Sequence, residues 1–279
     1  MTPLLFTLIT FFASVAAGVL GSLLGLGGGI IVVPLLTLAM GVDIKHAIGA
    51  SIVSVIATSS GAGAAYVRER MTNVRVAMLL EVATVSGAIT GAYLAGLFAG
   101  RGLFLLFGAL MAYSAIAMSR GKHEHHGAIV PPDPLADRLK LHGSYFDAAR
   151  GHDVHYRVAF TKLGFGLMYL AGVASGLLGI GSGVFKVPAM DLAMRMPIKA
   201  STATSNFMIG VTAAASAGVW FSRGDVNPFI AAPVASGVTI GAVAGSKLLG
   251  RLAGRKIRLA FVVVLLVVAG QMLWKGAHT

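Results

Sequence analysis

Long stretches of this chain carry no charge. Uncharged runs cover 3–42, 46–67, 102–119, 200–222 and 259–274; the run 76–100 is broken only by Glu81, and 163–190 only by Lys186. Each approaches or exceeds the ~20 apolar residues a helix needs to cross a bilayer core. The pattern predicts an all-α integral membrane protein. Polar residues gather instead in one stretch, about 120–157.

The apolar pattern is written twice. LLGLGGGIIVVP at 23–34 returns as LLGIGSGVFKVP at 177–188. The same spacing of 154 residues pairs Lys45 with Lys199, Ser51 with Ser205, Asn73 with Asn227, Gly87 with Gly241 and Arg101 with Arg255. The chain therefore reads as a first transmembrane repeat (1–119), a polar linker (120–157) and a second transmembrane repeat (158–279). In the first repeat five apolar segments are expected, near 3–21, 24–40, 47–67, 76–98 and 102–119. The first two are joined by uncharged glycine-rich sequence, so the chain turns back within or barely beyond the membrane. Three crossings follow, which makes the net number odd and inserts the second repeat upside down.

The basic residues favour that arrangement. With the N-terminus outside, 17 of the 22 Lys and Arg fall inside. Were each glycine-broken pair a single crossing, the split would be 12 to 9. Basic residues collect in cytoplasmic loops, so the inverted topology is preferred. The expected location is the inner (plasma) membrane, with both termini outside and the linker cytoplasmic.

Composition sharpens the class. Hydrophobic residues make up 56% and charged residues 11%, with 37 glycines and no cysteine; mean hydropathy is +0.84. The glycines of GAITGAYLAG (87–96) and GVTIGAVAGSKLLG (237–250) have the small-xxx-small spacing of packed membrane helices. The net charge of +12 reads as topology signal, so no nucleic-acid partner is expected. The apolar N-terminus lacks the basic start of a signal peptide and is read as a retained segment. No disulfide or thiol chemistry is available.

Interrupted helices in inverted repeats are a transporter signature. Broken backbone at membrane depth is tolerated only where protein or a water-filled cavity covers it. Gly25, Gly27, Gly28 and Gly29, and then Gly179, Gly181, Ser182 and Gly183, precede apolar runs that can start helices ahead of Pro34 and Pro188. Helix starts and successive glycine amides attract anions; equally, the glycines serve close packing. Lys186 stands where the first copy has Val32. A cation at this depth needs a partner or a cavity. It is read as the charge on a bound anion, against snorkelling or a pair with Asp191. Ser51, Ser205 and Asn206 lie in the hydroxyl-rich segments after each break and are candidates to line the site. Glu81 is a candidate proton carrier, against a surface pair with Arg75.

The linker holds KHEHH, so His123, His125 and His126 are weak metal-ligand candidates. PPDP at 131–134 argues against regular structure there. No nucleophile–base constellation, phosphate loop or dinucleotide fingerprint is present. Neither enzyme activity nor a cofactor is expected.

The doubled motif LLGLGGGIIVVPLL and GLLGIGSGVFKVP, with KHAIGAS and IKASTATSN downstream, resembles the TauE/SafE family of sulfite exporters, also called TSUP. The likeness covers both repeats but not the linker. It implies a secondary-active permease for sulfur-containing anions such as sulfite, sulfoacetate or other sulfonates. The motif positions carried over are Gly25, Gly27, Gly28, Gly29, Pro34, Gly179, Gly181, Gly183 and Pro188. The alternatives are a divalent metal transporter using the His-rich loop, and a non-transporting membrane sensor or scaffold. Expected partners are the anionic substrate and the lipid bilayer; proton coupling and homodimer formation are left open.

Overall fold

The computed structural model describes residues 2–24, 27–98, 100–120, 131–147, 151–249 and 254–278. The first half runs α1 (Pro3–Leu24), α2 (Gly29–Pro34), α3 (Ile44–Arg68), α4 (Val74–Ala95) and α5 (Gly100–Arg120). The linker forms α6 (Pro134–Arg138) and an antiparallel hairpin of β1 (Gly143–Asp147) and β2 (His152–Tyr156). The second half repeats the first as α7 (Thr161–Leu178), α8 (Gly183–Pro188), α9 (Ile198–Ser222), α10 (Pro228–Leu249) and α11 (Gly254–His278). Among the described residues, five helices are long and apolar enough to cross a membrane: α1, α3, α4, α7 and α10. Large apolar side chains such as Leu4, Phe12, Met78, Val82, Leu97 and Phe229 stand exposed on the outside of the bundle. A bilayer is the solvent that suits such a surface.

Each half begins with a helix that breaks and doubles back. A proline has no N–H and its ring crowds the preceding turn. Directly after Pro34 and Pro188, α2 and α8 widen into π-helical turns, Leu35–Ala39 and Ala189–Ala193. The return is visible in contacts. Thr10 on α1 donates to Met40 Sδ at 3.3 Å. At the start of α7, the Ala159 N–H donates to the Met194 carbonyl at 3.1 Å. The turns between these strokes use the left-handed backbone region, with φ +76° at Gly27 and +75° at Gly181.

Both turns lie at the centre of the bundle. A Cβ on either Gly27 or Gly181 would press on the same two side chains, Val55 and Ile209. These occupy matching positions of the two halves, each next to the midpoint of a 25-residue helix, α3 or α9. The glycine breaks therefore face each other half-way along the two longest central helices.

The halves interlock. Helices α3 and α9 run antiparallel: Gly49 abuts Asp225, Ser59 bonds the Asn206 carbonyl, and Thr72 bonds the Ala203 carbonyl. Helices α5 and α11 are also antiparallel, with Gly108 on Leu273 and Gly276 on Leu105. Helix α1 packs along α10, and its counterpart α7 packs along α4. The small-residue stretches make those two seams. A Cβ on Gly87 or Gly91 would land on the backbone of α7, and one on Gly237 or Gly241 on that of α1.

The linker differs from the sequence expectation. PPDP does not prevent regular structure; Asp133 starts it. Its Oδ1 accepts from the Leu135 and Ala136 N–H groups and caps α6, with proline at the first helical position where no N–H is missed. Its Oδ2 accepts from the Thr161 N–H at 2.7 Å and ties α6 to the start of α7. The hairpin then clasps one end of the bundle. Asn73 donates to the Leu141 carbonyl and the Tyr156 hydroxyl, Arg75 donates to the Lys140 carbonyl, and Lys199 pairs with Asp147 at 2.7 Å. Asp147 is almost wholly buried in that pair. Replacing Lys199 with Met should cost about 2 kcal/mol, the worth of a hydrogen bond to a charged group. Limited proteolysis should then cut the linker faster than in the parent protein.

Candidate functional site

Two kinds of polar group surround the breaks. The first kind completes the backbone where α1 and α7 end. A helix that stops inside a membrane leaves carbonyls without partners, and in hydrocarbon each is costly. The Ser22 carbonyl accepts from Asn206 Nδ2 at 2.9 Å and from the Tyr66 hydroxyl at 3.1 Å. In the second half, the Gly176 carbonyl accepts from Trp220 Nε1 at 3.0 Å, and the Gly179 carbonyl from Ser51 Oγ at 2.7 Å. Tyr66 and Trp220 are matching positions, as are Ser22 and Gly176. Each half closes the helix end with an aromatic donor from the central helix.

The second kind has no counterpart. Lys186, in α8 just past the second break, is wholly buried. Its Nζ donates to Thr212 Oγ1 at 2.5 Å and lies 3.9 Å from Glu81 Oε2. The Thr212 hydroxyl donates to Glu81 Oε1 at 2.6 Å, and Thr84 Oγ1 stands 3.4 Å from it. Three elements meet here: α8 brings the lysine, α9 the threonine at its middle, and α4 the glutamate and Thr84. The matching positions of the other half are Val32, Thr58, Ala235 and Val238. Only Thr58 is polar, and its hydroxyl is spent on the Ser54 carbonyl of its own helix. Glu81 Oε2 is buried and has no hydrogen-bond partner.

The candidate residues read from the sequence divide accordingly. Lys186 and Glu81 come together, and this replaces both alternatives considered for them. Lys186 does not snorkel, and its ion-pair partner is Glu81 rather than Asp191. Glu81 does not reach Arg75, whose guanidinium bonds the linker. Gly27, Gly28, Gly29, Gly181, Ser182 and Gly183 form the facing breaks; Ser182 is buried with φ +55° and an unpartnered hydroxyl. A Cβ on Gly29 would clash with Ser51 Oγ and press on the Gly179 carbonyl that Ser51 holds, so the two breaks lie close together. Ser51 and the Asn206 amide N–H are committed to backbone carbonyls, while Asn206 Oδ1 is buried without a donor. Ser205 is buried beside them. Gly25 lies outside the described residues, as do His123, His125 and His126. Among the described residues no group of three or more His, Cys, Asp or Glu could hold a metal. Thr212 and Thr84 were missed: hydroxyls inside a membrane helix usually bond their own backbone, and nothing in their spacing marks them.

The family described as "Sulfite exporter TauE/SafE" matches residues 10–272. A relative from Bacillus subtilis (strain 168), "Probable membrane transporter protein YunE", is 27% identical over 93% of this chain and 94% of its own. A "Probable membrane transporter protein" from Xylella fastidiosa (strain Temecula1 / ATCC 700964) is 30% identical, covering 94% of each chain. No solved structure matches. A bundle of membrane-length helices around paired breaks, matched by this family along almost its whole length, belongs to the TauE/SafE family of membrane transporters.

Proposed function

We propose that the protein is a secondary-active transporter of small sulfur-containing anions, sulfite or a sulfonate, and that the anion binds where the two breaks meet, beside Lys186. The observation that carries this reading is the buried Lys186 at one break, with no equivalent at the other. A lysine desolvated at mid-bilayer depth in a transporter marks a substrate or ion pathway. It stands four residues past Ser182, whose hydroxyl is buried and unpaired. The breaks supply backbone amides, and the lysine supplies the charge.

The antiparallel run of α3 against α9, and of α5 against α11, supports opposite orientations of the two halves in the inner membrane. In this reading the linker clasp lies on the cytoplasmic side, and the two halves rock about the central contact of Val55 and Ile209.

The test is a thermal-shift screen of purified protein against sulfite, thiosulfate, sulfoacetate, isethionate, taurine and Zn²⁺, followed by flux in proteoliposomes. A ligand that binds only the folded state at 100 times its Kd adds about 2.7 kcal/mol. At least one sulfur anion should raise the melting temperature and be transported, and Zn²⁺ should do neither. Stabilisation by Zn²⁺ alone, or by none of these, would remove the reading.

A further inference from the structure

We propose that Glu81 and the transported anion are alternative partners of Lys186, so that each anion binds together with one proton carried by Glu81. This rests on the anion reading above and goes beyond it, because it assigns the coupling ion, the carrier and the stoichiometry.

The geometry is that of an unfinished ion pair. A closed lysine–carboxylate pair has nitrogen and oxygen about 2.8 Å apart. Here they are 3.9 Å apart, and the Thr212 hydroxyl bridges them, accepting from Lys186 and donating to Oε1. Oε2 faces the ammonium without a hydrogen bond. The ammonium has three N–H bonds and uses one of them on a protein acceptor. Donor capacity on the lysine and acceptor capacity on the glutamate are thus both left over side by side.

Charge then decides what can enter. With Lys186 as ammonium and Glu81 as carboxylate the cluster is neutral. Among the described residues neither Lys186 nor Glu81 forms a second ion pair. Helix α4 packs on α7 and α9; Lys162 of α7 is exposed at the helix start, Lys199 of α9 is held by Asp147, and Arg75 of α4 itself is held by the linker. An anion arriving alone would leave one uncompensated negative charge in a low-dielectric interior, which is strongly unfavourable. An anion arriving with a proton on Glu81 leaves the site neutral. The protonated carboxyl also changes role, from acceptor to donor. It releases the Thr212 hydroxyl, and both can then donate to an anion oxygen held by Lys186. The only bond made is the Glu81 O–H, formed as a hydronium ion gives up its proton to become water, and broken again when the proton returns to water as the anion leaves.

The first half shows the same logic by omission. It holds Val32 where the cation stands and Ala235 in the second half stands where the acid does, so neither charge occurs without the other.

The experiment compares the parent protein with Glu81→Gln, which keeps the shape and removes the titration. Isethionate is the first probe, since its sulfonate stays ionised at all working pH and brings no proton of its own; sulfite is the second. In the parent, isethionate uptake into proteoliposomes should acidify the lumen with one proton per anion. Affinity from melting-temperature shifts should weaken about tenfold per pH unit once Glu81 ionises, the slope set by one linked proton. In Glu81→Gln the affinity should be flat with pH, and residual uptake should carry no proton. Uptake without acidification in the parent, or an unchanged pH slope in Glu81→Gln, overturns the coupling while leaving the anion reading intact. If neither anion binds the parent protein at any pH, both fall. Should Glu81→Gln lose transport, its affinity against pH still decides the matter.

Discussion

Replacing Lys186 with Met is expected to abolish anion transport and to lower stability sharply. The side chain is wholly buried, and its loss leaves the largely buried Glu81 carboxylate without its cation. Breaking a buried pair from one side typically costs about 3–5 kcal/mol. The pair Lys186→Met with Glu81→Gln separates structure from function. No buried charge remains, so the melting temperature should return to or above that of the parent, since replacing both members of such a pair is often neutral or stabilising. Transport should stay absent. Sulfite flux in proteoliposomes and thermal melts of three proteins check this. Recovered flux in the double variant would show that Lys186 holds the fold and not the anion.

The second large effect is expected at the break itself. Gly181→Ala places a methyl group on a backbone with φ +75°, 2.7 Å from Val55 Cγ1. A side chain held in such a sparsely populated region costs about 1–3 kcal/mol, before the clash is counted. Gly27→Ala meets the same conformation, with its methyl 2.8 Å from Ile209 Cδ1 and 3.2 Å from Val55 Cγ1. Flux should fall about tenfold or more in both if, as proposed, the halves rock about this point of contact, a barrier increase of about 1.4 kcal/mol. Trimming Val55 to Ala in Gly181→Ala, and Ile209 to Val in Gly27→Ala, should recover part of the loss, since in each case the nearest opposing atom is side chain and the paired effects couple through that contact. Absence of that recovery would place the strain in the backbone alone.

Much of this architecture could be read before any coordinates. The five apolar segments expected in the first half overlap α1, α2, α3, α4 and α5, and the repeat placed the breaks at Gly27 and Gly181. What stayed hidden was which polar groups meet. Thr212 reaches Glu81 across 131 residues of sequence, and Asn206 reaches Ser22 across 184. Periodicity along one helix says which face is buried, and nothing of what another helix brings to it. A usable signal did exist. Laying the halves over one another shows Lys186 against Val32 and Glu81 against Ala235, two charges without counterparts. Tyr66 against Trp220 is the opposite case, a shared aromatic donor whose task is the same in both halves. Departures from the repeat pointed to the candidate site, and agreements with it pointed to the scaffold. The linker was misread because PPDP was taken as a breaker, although Asp-Pro is also a helix start.

Because the chain has no cysteine, a single Ser182→Cys offers one thiol at the heart of the proposed site. Its modification by a small water-soluble methanethiosulfonate, with and without sulfite or isethionate, tests the central claim most directly. Alternating exposure of a site between the breaks predicts slow labelling of the resting protein and protection by the anion that is transported. Labelling that the anion leaves unchanged would contradict it.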